Sequence, residues 1–341
     1  LNSPSFPVPK NCDPKQAHPL TQWSAGRPFV CCRFDASGHY LFCGLESPTI
    51  ERIQLSDGKK LAFPGGHDSW VFSLASSAEG STMYSGGGDG RVVFWETTAT
   101  TPKPSRTIDA HQGWIRAMAM SADGSVLATG GNDRMVRLWN PSTGSLLHEC
   151  KAHQGHVYSV ESHPGGRTIL SGDLQGQVHE WDIKTGKLVG TFDATPLHTY
   201  DGSQRVDFGG VRGLAVSHDG KFVAAGGLHK ATNPLGAVHE PVVIIFDAQT
   251  RKPVRTLLVD GIAGGIIWRL RYLSDGSLMG ISGGNSGGFL LFWKAGSDKD
   301  YHRLGPTNMA RDMDLHADGL RVATAHHDGY ARLTRLAAGT V

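Results

Sequence analysis

The sequence predicts an all-β fold, a closed ring of seven four-stranded blades, on three observations. Trp95, Trp139 and Trp181 sit 44 and 42 residues apart, and each closes a similar phrase: Val-Val-Phe-Trp, Val-Arg-Leu-Trp and Val-His-Glu-Trp. Short apolar runs alternate with Asp-Gly, Asn-Asp and Ser-Thr-Gly turn chemistry, and 45 of the 341 residues are glycine, as many tight turns require. Helical spacing is nowhere sustained, and degenerate copies of the same frame lie on both sides of the three clear ones. A repeat in the low forties with four strand-like segments per unit is the period of a β-propeller.

The units follow in order along the chain. The first opens at 29–38, and its closing phrase Glu51-Arg-Ile-Gln54 puts Gln54 at the Trp place. Units two, three and four close at Trp95, Trp139 and Trp181; in the third, 115–120, 126–130, 135–139 and 146–150 read as the four strands. Segments 211–220, 267–276 and 310–319 repeat the pattern of 115–124, and their closing phrases end at Phe246, Trp293 and Thr334. After the third strand of the last unit only 337–341 remain, too few for a fourth. The segment Pro19-Leu-Thr-Gln-Trp23 resembles fourth-strand phrases such as Ser105-Arg-Thr-Ile-Asp109, so an N-terminal strand is expected to complete the last blade and cover its edge. The organisation expected is therefore an N-terminal extension (1–17), one propeller (18–336) and a short tail (337–341).

Fixed offsets sharpen the repeat. Counting back 28, 10 and 6 residues from each clear Trp reaches His67, Ser85 and Asp89, then His111, Thr129 and Asp133, then His153, Ser171 and Gln175. With Gly66-His67, Ala110-His111, Ala152-His153 and the closing Trp-Glu, Trp-Asn and Trp-Asp182, these residues resemble the WD40 repeat family. The resemblance implies a seven-bladed propeller of WD40 type in which His, Ser or Thr, Asp and Trp form a buried hydrogen-bonded set. Such a set suits an imidazole and an indole N–H that must find partners away from water. Units two and three carry all four members; unit four has His153, Ser171 and Trp181 but Gln175 in the acid's place. The family's usual work is to hold protein or peptide partners, which implies a non-catalytic interaction platform here. A receptor role in a ubiquitin ligase is not implied, because Lys184 stands where the adaptor phrase needs Arg.

Composition narrows the function further. With 39% hydrophobic and 19% charged residues and a net charge of +2, the chain reads as a soluble globular protein. Its 33 basic residues are scattered and form no run or RNA-binding phrase, so nucleic acid is not an expected partner, and no apolar stretch approaches membrane-spanning length. The compartment is unassigned: cytoplasmic by default, extracytoplasmic if a leader was removed before Leu1. The five cysteines show no CxxC spacing and are read as inert buried thiols, with a Cys31–Cys43 bridge as the oxidising alternative. No cofactor, metal or catalytic constellation is expected, and the chain is not read as an enzyme. The loop at 283–288 looks like a phosphate loop but no helix follows it, so it is read as an interstrand turn. Among the other histidines, His163, His218 and His316 recur near first turns and are assigned structural roles, whereas His326-His327 is read as a solvated turn.

Two features carry the binding hypothesis. Insertions at 193–210 and 228–241 lengthen two loops of the fifth unit by about a dozen residues each. By the family arrangement both rise on one face, bringing His198, Tyr200, Arg205, His229 and Lys230 with them. On that face, the second residue of each innermost strand should ring the central channel: Val30, Phe72, Arg116, Tyr158, Arg212, Trp268 and Arg311, with Trp70 and Trp114 nearby. Arginine and aromatics are the residues enriched at interface hot spots. The expected partner is a protein or peptide, bound by a monomer or by a subunit of a larger complex. The alternative is a small ligand, a metal or chemistry in the channel.

Overall fold

The computed structural model describes residues 12–233 and 238–338. Residues 1–11 of the expected extension, 339–341 of the tail and 234–237 of the second insertion lie outside the described residues. Seven antiparallel four-stranded sheets follow one another in chain order, with one extra two-stranded hairpin. Blade one comprises Phe29–Phe34, Tyr40–Leu45, Ile50–Gln54 and Lys60–Phe63, and the later blades repeat that plan. Among the described residues no helix is long and apolar enough to cross a membrane.

Local chemistry explains the strands. In blade three, Val136 and Leu138 are fully buried while Arg137 between them is half-buried, the alternation a pleated strand imposes. Its first hairpin turns at Asp123-Gly124, with Gly124 at φ 72° and the Asp123 carboxylate accepting the Ser125 N–H at 3.0 Å. Blades then pack face to face: Tyr84, Val92 and Phe94 of blade two share a core with Ile115, Met118, Leu127 and Trp139 of blade three. The approach is close enough that a Cβ on Gly130 would come 2.5 Å from Val157 of the next blade.

The ring closes with the first strand of the chain. His18–Ser24 pairs antiparallel with Tyr330–Arg335, from His18 opposite Arg335 to Ser24 opposite Tyr330, and is the fourth strand of the last blade. Residues 12–17 of the extension pack against the same blade, with Asp13 N–H bonded to the Leu336 carbonyl at 2.8 Å.

Register corrects one detail of the repeat. Leu41 pairs with Ile53 as Met83 pairs with Trp95, so buried Ile53, not Gln54, occupies the Trp place in blade one.

One irregularity positions the channel rim. In six inner strands the pairing register slips at one residue, the second of the strand in five of them, as between Ile115 and Ala117, and the fourth, Trp268, in Gly265–Tyr272; in blade five Arg212 N–H and Gly213 share Gly226 in the same way. A bulge re-aims the side chain at its extra residue. Those residues are Val30, Phe72, Arg116, Tyr158, Arg212, Trp268 and Arg311.

Candidate functional site

All seven of those residues line one cavity of about 240 Å³ at the mouth of the central channel, together with Arg269 and Asp312 just below. Around more than half of the rim they form a continuous ladder of rings and guanidiniums. Trp70 and Phe72 have ring centres 6.1 Å apart, and Phe72 stacks on Trp114 at 4.7 Å. The Arg116 guanidinium lies 4.4 Å from the Trp114 ring centre and 5.0 Å from that of Tyr158. Arg212 lies 3.6 Å from Tyr158 and 5.6 Å from Trp268. Each cation over a ring is worth roughly 0.5 to 2 kcal/mol according to its desolvation, so the ladder is held before any partner arrives. Trp70 and Trp114 are 42% and 39% exposed, so they are not interblade core residues.

Charge is distributed unevenly down the channel. Deeper in, Arg33 pairs with Asp314 at 2.8 Å, Arg269 with Asp312 at 2.8 Å and Arg271 with Glu161 at 3.0 Å. At the rim Arg311 pairs with Glu46 at 2.6 Å. Arg116 and Arg212 have no carboxylate partner among the described residues. Arg116 Nε donates to Asn132 Oδ1 and Arg212 Nε to the Gly209 carbonyl, both at 2.8 Å. Burial lowers both guanidiniums from their ordinary range, Tyr158 opposes this, and Arg212 lowers Arg116 further. Nearby His156 is also lowered, first by burial and then by Arg116, Arg134 and Arg212. Arginine stays protonated under these conditions, so the mouth carries two guanidinium charges that no carboxylate offsets.

The insertions stand beside this mouth. The first forms a short 3-10 turn, Thr195–Leu197, and the hairpin His198–Asp201 with Val206–Gly209. The second extends the strands Phe222–Asn233 and Val238–Asp247. They touch at their bases, where a Cβ on Gly209 would meet Leu228 at 3.1 Å. Because Gly209 also accepts from Arg212, the first insertion fixes a rim arginine directly. Tyr200 and Arg205 are exposed near the hairpin tip, and His198 bonds Asp207 at 2.7 Å. His229 and Lys230 both reach Glu240, at 3.3 and 3.1 Å.

Blades two to four each hold a buried hydrogen-bonded set. In blade two, His67 Nε2 is 2.8 Å from Ser85 Oγ, His67 Nδ1 is 3.1 Å from Asp89, and Trp95 Nε1 donates to Ser85 at 2.8 Å. Blade three repeats this through His111, Thr129, Asp133 and Trp139 at 2.7, 2.8 and 2.9 Å. Blade four also has an acid, which corrects the reading based on Gln175. Asp173 bonds His153 Nδ1 at 2.9 Å, while Ser171 meets His153 Nε2 at 2.6 Å and accepts from Trp181 at 2.7 Å. Asp173 stands where blades two and three have Gly87 and Gly131, so the carboxylate reaches the imidazole from the strand instead of the turn. A Ser-x-Asp phrase in the second strand was the available signal.

Two histidine assignments change, those of His218 and His326. His163 and His316 reach across to the next blade, to Gly220 and Gly38 carbonyls at 3.4 and 3.0 Å, but His218 sits one position later in its turn and is exposed. His326 is not in a solvated turn; it is buried, with Nε2 2.8 Å from Thr324 Oγ1 and Nδ1 2.9 Å from the Asn308 carbonyl. All five cysteines are unbridged, including Cys31 and Cys43. Among the described residues no three His, Cys, Asp or Glu side chains gather as a metal site.

The family model for the WD domain, G-beta repeat, matches residues 58–96, 102–140 and 144–182. Each match runs from the outer strand of one blade to the residue after the closing Trp of the next. The chain thus carries three matched WD40 repeats within a seven-bladed propeller. No curated protein sequence matches it significantly.

Proposed function

We propose that this WD40-type propeller is a non-catalytic platform that holds an acidic segment of a protein partner at the channel mouth, beside the blade-five insertions. One observation carries the reading: the other four arginines of the channel have a carboxylate, whereas Arg116 and Arg212 have only neutral acceptors. Carboxylate or phosphate oxygens are the natural complement to two half-buried guanidiniums within 5.0 Å of one Tyr158 ring centre. Trp70 and Trp114 extend the surface sideways with exposed aromatic area, and rigid aromatics beside arginine make efficient anchors. WD40 propellers generally hold protein partners, which agrees with this chemistry.

The test is a binding titration with fluorescent peptides, an Asp/Glu-rich pool and its phosphoserine counterpart against an Asn/Gln/Ser pool of matched sequence. The wild type should bind the anionic pools selectively, and Arg116→Ala with Arg212→Ala should weaken them by on the order of thirtyfold or more. Arg167→Ala, exposed at the first turn of blade four, should bind as the wild type does. Equal binding of all pools, or loss with Arg167→Ala but not with the rim pair, overturns the reading.

A further inference from the structure

Each repeat Trp faces the preceding blade. Trp95 packs among Phe42, Ile50 and Phe63 of blade one, and Trp139 and Trp181 occupy the same place against blades two and three. Each donates its indole N–H to a second-strand hydroxyl. Blade seven keeps the hydroxyl but not the indole. Thr324 pairs with Arg332 as Thr129 pairs with Arg137, and Thr334 pairs with Val322 where Trp139 pairs with Leu127. The space between blades six and seven is consequently a pocket of about 390 Å³. Ile281, Leu290 and Leu304 form its blade-six wall, and Thr324, His326 and Thr334 its blade-seven wall. The exposed run from Pro19 to Gln22 borders it.

The hydroxyl in this pocket is set to accept. The Asn308 carbonyl can only accept, so His326 Nδ1 carries the proton of the neutral ring and Nε2 is an acceptor. Burial, opposed by the Asn308 bond and aided by Arg332, brings His326 down to about 4, which keeps the ring neutral near neutral pH. Thr324 therefore donates to His326 Nε2 at 2.8 Å. Among the described residues nothing donates to Thr324 Oγ1, the role the indole fills in blades two, three and four.

We propose that the pocket between blades six and seven binds an indole ring, apolar face against Ile281, Leu290 and Leu304 and N–H to Thr324 Oγ1. The occupant argued for is the one this chain places in three sister pockets. Apolar cavities that miss a side chain take up small aromatics of matching shape. The site is distinct from the rim and does not depend on the function proposed there.

The probes are free indole, benzothiophene and the tripeptide Gly-Trp-Gly, followed by calorimetry and amide spectra of the full chain. Indole should bind saturably at one site and shift Thr324 and His326. Benzothiophene, which lacks the N–H, should bind about five- to tenfold more weakly, the ratio for one neutral hydrogen bond. Thr324→Val should abolish that difference, and Thr334→Trp should abolish indole binding without lowering Tm. If Thr334→Trp does not fold, Thr334→Leu carries the same comparison with a smaller filler. Binding of Gly-Trp-Gly as well as indole identifies a partner's side chain as the occupant; binding of indole alone identifies a free small molecule. Arg116→Ala with Arg212→Ala should leave indole binding unchanged. No response at millimolar indole, or equal binding by Thr334→Trp, overturns the proposal.

Discussion

Arg212 holds its guanidinium carbon 3.6 Å from the ring centre of Tyr158, the closest cation–ring contact of the rim. Blade-five and blade-four inner strands are joined by it, and its Nε is fixed by Gly209 at the base of an insertion. A loop that differs from the regular repeat therefore orients a residue supplied by the repeat.

That rim should be measurably electropositive. His156 is depressed partly by Arg116 and Arg212. Removing two positive charges favours the protonated imidazole, so Arg116→Ala with Arg212→Ala should raise the His156 titration midpoint in NMR. An unchanged or lower midpoint would show that the arginine field does not reach it.

The buried sets predict a graded stability series. Trp139→Ala empties a nearly buried ring site and strands Thr129, so it should cost on the order of 3 to 5 kcal/mol in denaturant melts. Thr334→Ala should cost under about 1 kcal/mol, because only a small side chain is lost there. Comparable losses would mean that the Trp networks contribute little.

Blade six offers a contrast on the indole N–H itself. Gly280 pairs with Leu291 as Ser85 pairs with Val93, so the hydroxyl is missing and Trp293 Nε1 is buried without a partner. Trp293→Phe should therefore be clearly milder than Trp139→Phe, by about 1 kcal/mol. The reverse order in equilibrium unfolding would contradict the assignment.

In blade four the acid is Asp173. Asp173→Ala should destabilise by about 2 to 3 kcal/mol by leaving His153 Nδ1 without its acceptor, while Gln175→Ala should lie within about 0.5 kcal/mol of the parent. Similar melts for the two variants would return the blade to an incomplete set.

Acid should unfold the ring in two windows. Burial lowers His179 and His326 to about 4, so between pH 6.5 and 4 the unfolded chain binds more protons than the folded one and stability falls as pH falls. Each contributes on the order of 2 kcal/mol to that loss. Burial pushes Asp89, Asp133 and Asp173 up, but the hydrogen bonds and charge of His67, His111 and His153, backbone N–H donors and, at Asp133, Arg137 together hold them low. Their stabilisation is complete above the ordinary Asp value and is lost as pH drops through their lower folded values. Asn at both His179 and His326 should flatten the upper window only; an unchanged slope from pH 6.5 to 4.5 would remove these histidines as its cause.

Deleting residues 1–24 removes the strand paired to Tyr330–Arg335 and exposes its edge. Aggregation or a large drop in Tm is expected by light scattering and calorimetry. A monomer melting like the parent would mean that closure does not depend on this strand.

Much of this architecture was legible because repeats report themselves at fixed spacing. The Trp, His and hydroxyl offsets exposed the blades, and position in the inner strand sufficed to list the rim residues, since the same bulge recurs in every blade. Single-residue detail was less legible. Ile53 takes the Trp place one position before Gln54, and Asp173, two positions before Gln175, reaches the same imidazole through space. His326 does likewise, delivering a ring from the strand where blades two to four deliver it from the preceding loop.

The sequence by itself determined the seven units, their strand order, the closing strand and the ring of residues at the channel mouth. These follow from local periodicity, which the chain carries residue by residue. Only the tertiary structure decided which rim arginines lack a carboxylate, because Arg311 finds Glu46 and Arg269 finds Asp312 in other blades. It alone showed that Thr334 leaves a pocket with an acceptor in it. Charge pairing and cavity shape depend on which blades meet, and distance along the chain says nothing of that.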